Sequence, residues 1–394
     1  MQKQATAATR TGTFFTRLAA GKARSLAIAA TLCAAGAVQA QDVTPFLGAW
    51  NSSPLPQVQS ATGHNSFKLA FGTTNGSCAL NPYFTNQYPA ARTFVNNGGQ
   101  LTLSMGGADG IYAEIACNDD QLYAILDRMI TQTGTRRIDW DVEGWQLPNT
   151  TGHARRARVL ARLQQRYPDL YNSFTLPGWL RGLDSNSMAL LRTTIAHGVR
   201  ISRVNAMAMD FGRNNLYTMA GGSMSQAVIM TLTATNAQLK TLFPGRSTWQ
   251  IYGMMGVTPM IGTNDDFTTF TLADAQRVAE FARQNGLGMI SYWAFNRDRA
   301  QSYAGQNLTT HSGVVQSAYQ YLRTFKSATY KSAEVAAPTT GSTSGSCWAA
   351  NWTSGKWYSA GSIVTYNGAP YRAKVANPGY NPTISTYYWA RHSC

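Results

Sequence analysis

Eight short β-rich runs recur between Asp42 and Phe325, each followed by a stretch of helical spacing, and this alternation leaves few folds open. The runs are Val43–Trp50, Phe67–Phe71, Gln100–Gly107, Arg136–Glu143, Ser173–Gly178, Arg203–Phe211, Trp249–Gly256 and Gly288–Phe295. Between them, Leu122, Ile125 and Met129, and Leu183, Met188, Leu191 and Ile195, recur at helical intervals. Ala273–Asn285 ends at Gly286, and Ser312–Phe325 follows the last run. Strand–helix alternation eight times over roughly 285 residues predicts an α/β fold, a closed parallel (β/α)8 barrel rather than an open sheet. Such a barrel carries its chemistry at the C-terminal ends of its strands.

One run stands out chemically. In Arg137-Ile138-Asp139-Trp140-Asp141-Val142-Glu143-Gly144 the side chains of a strand alternate, so Asp139, Asp141 and Glu143 share a face. Trp140 and Val142 point the other way, into an apolar layer. Three acids within roughly 13 Å, at about 3.3 Å per residue, repel one another. One of them must hold its proton more tightly. The chain has only 18 acidic residues, so placing three of them here is costly and points to a site.

The flanks set the context. The first forty residues contain no acid, carry Lys3, Arg10, Arg17, Lys22 and Arg24, and run apolar from Leu26 to Val38 before Val38-Gln39-Ala40. That pattern reads as a secretory signal peptide spanning 1–40, and hence a secreted, extracellular product. Without its five basic residues the formal charge falls from +15 to +10. The remaining basic residues are scattered, except for Arg155, Arg156, Arg158, Arg162 and Arg166, which read as the solvated face of a helix. Nucleic acid is therefore not an expected partner. Nor is a membrane, because no later stretch is long and apolar enough to span one. Four cysteines follow the leader, and in an oxidising compartment they suggest two disulfides; the local pairing, Cys78–Cys117 and Cys347–Cys394, keeps each within one domain. The cysteines lack zinc-ligand spacing and the histidines are dispersed, so a metal site is not expected.

After Phe325 the composition changes. Residues 326–346 include Ala-Ala-Pro-Thr-Thr-Gly-Ser-Thr-Ser-Gly-Ser, a flexible linker without an apolar face. The last 48 residues, 347–394, contain no acid but ten Trp and Tyr. A domain so small cannot bury them all, and aromatic rings left on its surface stack on flat apolar faces such as those of sugars.

At these motifs the barrel, residues 41–325, resembles glycoside hydrolase family 18, the chitinases and their relatives. The pattern D-x-x-D-x-D-x-E matches at Asp139, Asp141 and Glu143, with Arg136 at its first position; S-x-G-G matches at Ser104-Met105-Gly106-Gly107. Met207-Ala208-Met209-Asp210 stands where the family usually has M-x-Y, and Pro259-Met260-Ile261-Gly262-Thr263-Asn264-Asp265 and Trp293 match a bacterial and archaeal branch. The C-terminal segment resembles small all-β chitin- and cellulose-binding modules through Tyr358, Gly361, Val364, Tyr366, Gly368, Tyr371, Ala373 and Trp389.

The resemblance implies a TIM barrel in which Glu143 is the general acid and base. Asp141 would orient and stabilise the substrate's acetamido group, and Asp139 would share a proton or hydrogen bond with Asp141. Trp293 would floor the cleaved subsite, with Asp210, Asp265, Met207 and Tyr252 toward the substrate and Trp145 beside the cleft. In the module, Trp352, Tyr380, Tyr387 and Trp389 are the stacking candidates. The implied partners are chitin and chito-oligosaccharides, with no cofactor and with the protein as a monomer. Rival readings are a chitin-binding lectin on a weak barrel, and an endo-β-N-acetylglucosaminidase acting on glycoprotein glycans.

Overall fold

The computed structural model describes residues 42–50, 55–302, 310–329 and, with interruptions, 350–392. The leader, nearly all of the linker, Cys347, Cys394 and Tyr387 lie outside the described residues. Parallel strands run β1 (Asp42–Val43), β2 (Phe46–Gly48), β3 (Ser66–Gly72), β4 (Gln100–Gly106), β5 (Arg137–Asp141), β6 (Tyr171–Trp179), then β8 (Arg203–Met207), β9 (Met255–Thr258) and β12 (Met289–Ile290). The two-residue β7 (Gly182–Leu183) folds back on β6, and β10 (Gly262–Thr263) pairs with β11 (Thr269–Phe270) as a hairpin. β1 and β2 belong to one seven-residue segment that pairs with β12 on one side and β3 on the other, so the curled sheet returns on itself.

Local signals place the helices between strands. Asn118 and Gln121 form a capping box for helix Asp119–Thr133, which stops at left-handed Gly134. Thr271 and Asp274 do the same for Leu272–Asn285, which stops at Gly286. Three expectations change. Trp249 to Gly253 is helix Thr248–Gly253, capped by Ser247 with Gln250, and the strand begins only at Met255. The last helix starts at Gln320 rather than Ser312 and runs to Thr329, past the expected boundary at Phe325. Strand β8 stops at Met207, three residues before Asp210.

The two faces of β5 divide the molecule. Ile138, Trp140 and Val142 lie in the apolar layer shared with the helices. Asp139 and Asp141 are buried on the other face, in the barrel interior with Lys68, Ser104, Ser173, Thr175, Asn205 and Thr258. Register puts them in layers: Ser104 pairs with Asp139, Asp139 with Ser173, and Asp141 with Thr175. The interior of this barrel is a hydrogen-bonded polar network, unlike the branched apolar layers usual there.

Helix Thr150–Arg166 presents Arg158, Arg162 and Arg166 on a solvated face, as its spacing predicts, but Arg156 turns inward. Arg155 and Arg158 pair with Asp119, Arg162 with Asp120 and Arg166 with Asp127. Arg156 is 2% exposed, lies over the Trp140 ring and pairs with Glu114, which is equally buried. A disulfide joins Cys78, after β3, to Cys117, after β4. The small C-terminal unit is the antiparallel sheet β13 (Ile363–Tyr366), β14 (Ala369–Ala373) and β15 (Trp389–Arg391). Breaking a buried ion pair strands its partner charge. Glu114→Gln is therefore expected to destabilise the barrel by about 3–5 kcal/mol, and Arg162→Ala, at the surface, by about 1 kcal/mol or less, both read as urea midpoints.

Candidate active site

Asp139, the lowest of the three acids, is 0% exposed and saturated with donors. Lys68 Nζ reaches its Oδ1 at 3.0 Å, Ser104 Oγ its Oδ2 at 2.9 Å, and Thr175 Oγ1 its Oδ2 at 2.9 Å. Ser173 adds a further hydrogen bond. Asp139 makes no hydrogen bond to Asp141 among the described residues, contrary to the expected sharing. Arg136 plays no part here: it pairs with Asp169 at an exposed corner.

Asp141, one same-face step higher, is buried and pushed well above the usual carboxylate range. Burial is the main cause, followed by the negative charges of Glu143 and Asp139, with Lys68 opposing. It is hydrogen-bonded with Glu143, yet its buried Oδ1 receives no hydrogen bond from any described residue. Glu143 completes the column just past β5, with extended backbone that keeps the alternation going. Its carboxyl is raised from 4.5 to about 7, chiefly by burial and further by Asp109 and Asp210; its hydrogen bond to Asp141 opposes.

Two close approaches hold this column. Gly106 has φ +105°, and a Cβ there would collide with the Asp141 carbonyl; Gly107 N donates to that same oxygen at 2.9 Å. The S-x-G-G motif thus brings β4 against β5. Buried Tyr112 accepts from Glu143 N at 3.0 Å and donates to Gly107 O at 2.9 Å. Gln146 clamps the same loop, accepting from Tyr112 N and donating to Gly110 O.

Trp293, just past β12, is half-buried and stacks on Phe71 at 5.5 Å and 16°, with Phe46 and the exposed Trp50 beside it. Phe71 in turn lies against Gly107, which connects this aromatic wall to the acids. Met207 ends β8, and Asp210 follows in a left-handed conformation, φ 50°. The Asp210 carboxylate accepts from Asp265 N at 2.8 Å and Asp266 N at 3.2 Å. Asp210 is thus at least partly a loop clamp, its carboxyl raised mainly by burial. The Asp265 side chain is exposed, as is Trp145. Tyr252 is removed from the site. It lies on the helix that precedes β9, at the N-terminal edge of the sheet, packed on Phe281.

In the small unit, Trp389 is 1% exposed and forms the core with Tyr358, donating to Tyr380 O, so it is no stacking surface. Tyr380 is 42% exposed, with its ring 4.5 Å from that of Tyr388, and Trp352 is half-buried against Tyr366. Sequence reasoning missed Lys68, Tyr112, Gln146 and Asp109. Only Lys68 left a signal: a lone ammonium inside the apolar run Phe67–Phe71. Among the described residues no group of His, Cys, Asp and Glu could hold a metal ion, and no helix is long and apolar enough to cross a membrane.

A carboxyl raised from 4.5 to about 7 favours the fold while protonated; that contribution is present below pH 4.5 and lost as pH rises through about 7. Glu143→Gln, permanently neutral, is expected to exceed the wild type in stability at pH 8 by up to about 3 kcal/mol. The gain should vanish near pH 4.5, as urea midpoints at the two pH values would record.

Comparison with known proteins returns no matching family model. Endochitinase 11 of Metarhizium anisopliae is 30% identical over 248 residues, covering 59% of this chain and 48% of that protein. The probable bifunctional chitinase/lysozyme of Escherichia coli is 29% identical over 251 residues, covering 59% of this chain and 28% of that protein. The chain thus spans about half the length of the first relative and less of the second. Among solved structures, active domain 2 of the chitinase from Pyrococcus furiosus superposes with a TM-score of 0.65 at 26% identity. The match covers 74% of this chain and 97% of that one. The same domain has been solved with chito-oligosaccharides, and superposes at 0.64. These likenesses support a glycoside hydrolase with the chitinase-type fold.

Proposed function

We propose that this protein is a secreted chitinase that cleaves β-1,4 bonds between N-acetylglucosamine units with retention of configuration. The observation that carries this reading is the column of acids itself, with Glu143 raised to about 7 one same-face step above the buried Asp141. The usual retaining pair faces itself across the scissile bond, one carboxylate attacking while the other protonates. Here Asp141 and Glu143 neighbour each other on one extended segment, so neither is placed opposite the other. The substrate's own acetamido carbonyl is the nucleophile that suits this geometry.

In the first step Glu143 donates its proton to the glycosidic oxygen as the C1–O bond breaks. The acetamido oxygen bonds C1, forming an oxazolinium ion, and Asp141 accepts the acetamido N–H. Its negative charge stabilises the cation that develops. Glu143, now ionised, takes a proton from water as that water opens the ring and restores the starting configuration. Trp293 and the Phe71 face beneath it supply the apolar floor for the sugar.

The C-terminal unit would hold the enzyme on insoluble chitin through Tyr380 with Tyr388, and Trp352, by raising local concentration. Tyr387 is a further candidate outside the described residues. Export through residues 1–40 would bring the enzyme to that polymer.

Colloidal chitin and a chromogenic chito-oligosaccharide are expected to be hydrolysed, with the β-anomer appearing first in proton NMR of the products. Glu143→Gln should lower kcat by about 10²–10⁴-fold with binding of the oligosaccharide retained. An α-anomer as first product would overturn the mechanism. Binding without cleavage by the wild type would favour the lectin instead.

A further inference from the structure

The reaction scheme leaves Lys68 without a task. Its side chain is 1% exposed and its Nζ has three neighbours: Asp139 Oδ1 at 3.0 Å, Thr175 Oγ1 at 3.1 Å, and the face of the Phe46 ring at 4.7 Å. A buried ion pair of this kind is a poor source of stability, since apolar residues of similar volume often serve as well or better. In a barrel interior, where apolar layers pack readily, a lysine at this depth calls for another explanation.

Position supplies one. Lys68 reaches Asp139 from below, from β3, one same-face step beneath the layer of Ser104, Asp139 and Ser173. The oxygens of Asp139 are already engaged by Lys68, Ser104, Ser173 and Thr175, every one of them a donor. Asp141 above it therefore has Glu143 as its proton-sharing neighbour. We propose that Lys68 is a positioning residue for the acid–base chemistry, pairing with Asp139 so that the exchangeable proton of the column is confined to Asp141 and Glu143. The inference deepens the proposed glycosidase reading by assigning what sets the protonation of its acid.

The surrounding charges define the sign of the effect. Asp141 is faced by Glu143, Asp139, Lys68 and the phenol of Tyr112; Glu143 is faced by Asp141, Asp109, Asp210 and Tyr112. Lys68 is thus the cation beneath Asp139 and Asp141, while Arg297 is set against Asp210 and Asp265. Asp139→Asn leaves its ammonium unpaired and should make the Glu143 carboxyl more acidic. Replacing the pair by two neutral groups, Lys68→Met with Asp139→Asn, should undo that change.

The chain has four glutamates, Glu114, Glu143, Glu280 and Glu334, so carboxyl-13C labelling of Glu yields a spectrum in which Glu143 is assigned by its loss in Glu143→Gln. Asp139→Asn is expected to lower the Glu143 titration midpoint by about one pH unit, and the double variant to return it to within about 0.3 unit of the wild type. The alkaline limb of kcat/KM on a chromogenic chito-oligosaccharide should move with it. Lys68→Gln provides a second route. It should raise the Glu143 midpoint or make Asp139 titrate as a new signal under Asp labelling. Midpoints unmoved in folded Asp139→Asn, or in Lys68→Gln with no new Asp signal, would overturn the proposal, as would a double variant that fails to restore the shift. A wild type that shows the NMR shifts but no hydrolysis would instead overturn the glycosidase reading alone.

Discussion

A carboxylate removed from water must be met by donors, and the barrel interior is arranged around that requirement at Asp139. Its oxygens gather hydrogen bonds from β3, β4 and β6, so one side chain ties its own strand to three others. The network spreads sideways through Thr175 to Asn205 and on to Thr258, which brings β8 and β9 into the same polar layer. An interior of this kind tolerates little slippage. A one-residue shift of β5 would turn the acids toward the helices and Trp140 into the barrel.

Above that satisfied layer the column becomes progressively less satisfied. Asp139 has a full set of partners, Asp141 has an unpartnered oxygen, and Glu143 sits at the rim with two more acids nearby. This gradient is what raises the upper pair of carboxyls. Desolvation without donors favours the protonated form of a carboxyl, while donors and an ammonium favour the charged one. Rigidity comes from the backbone: Gly106 and Gly107 let β4 close on the Asp141 carbonyl, and Tyr112 fixes the first turn of chain beyond β5.

Much of this was legible in the residues because period-2 alternation is a local property of a strand. Asp139, Asp141 and Glu143 share a face in any extended segment, and Trp140 between them must face the other way. Where a side chain's role depends on what lies across the fold, sequence reasoning went astray. Arg156 has the spacing of a solvated helical face but meets Glu114 and Trp140 in the interior. Tyr252 sits close in sequence to a strand, but on the helix before it, so it falls at the wrong edge of the sheet. Trp389 has the composition of a binding aromatic but is the largest side chain in a very small core. Aromatic residues read alike from sequence whether they bind a sugar or fill a core, because both roles need the same apolar ring.

The sequence by itself determined the alternation of strands and helices, the face shared by the three acids, and the glycines where strands must approach closely. All of these follow from steric and periodic constraints within a few residues. Tertiary structure alone decided which cation meets which acid. Arg136 adjoins the acid run in sequence but points to a surface aspartate, whereas Lys68, 71 residues away from Asp139, lies within 3.0 Å of it. Charge pairing in a barrel is settled by strand order and register, and these bring together residues that no local pattern connects.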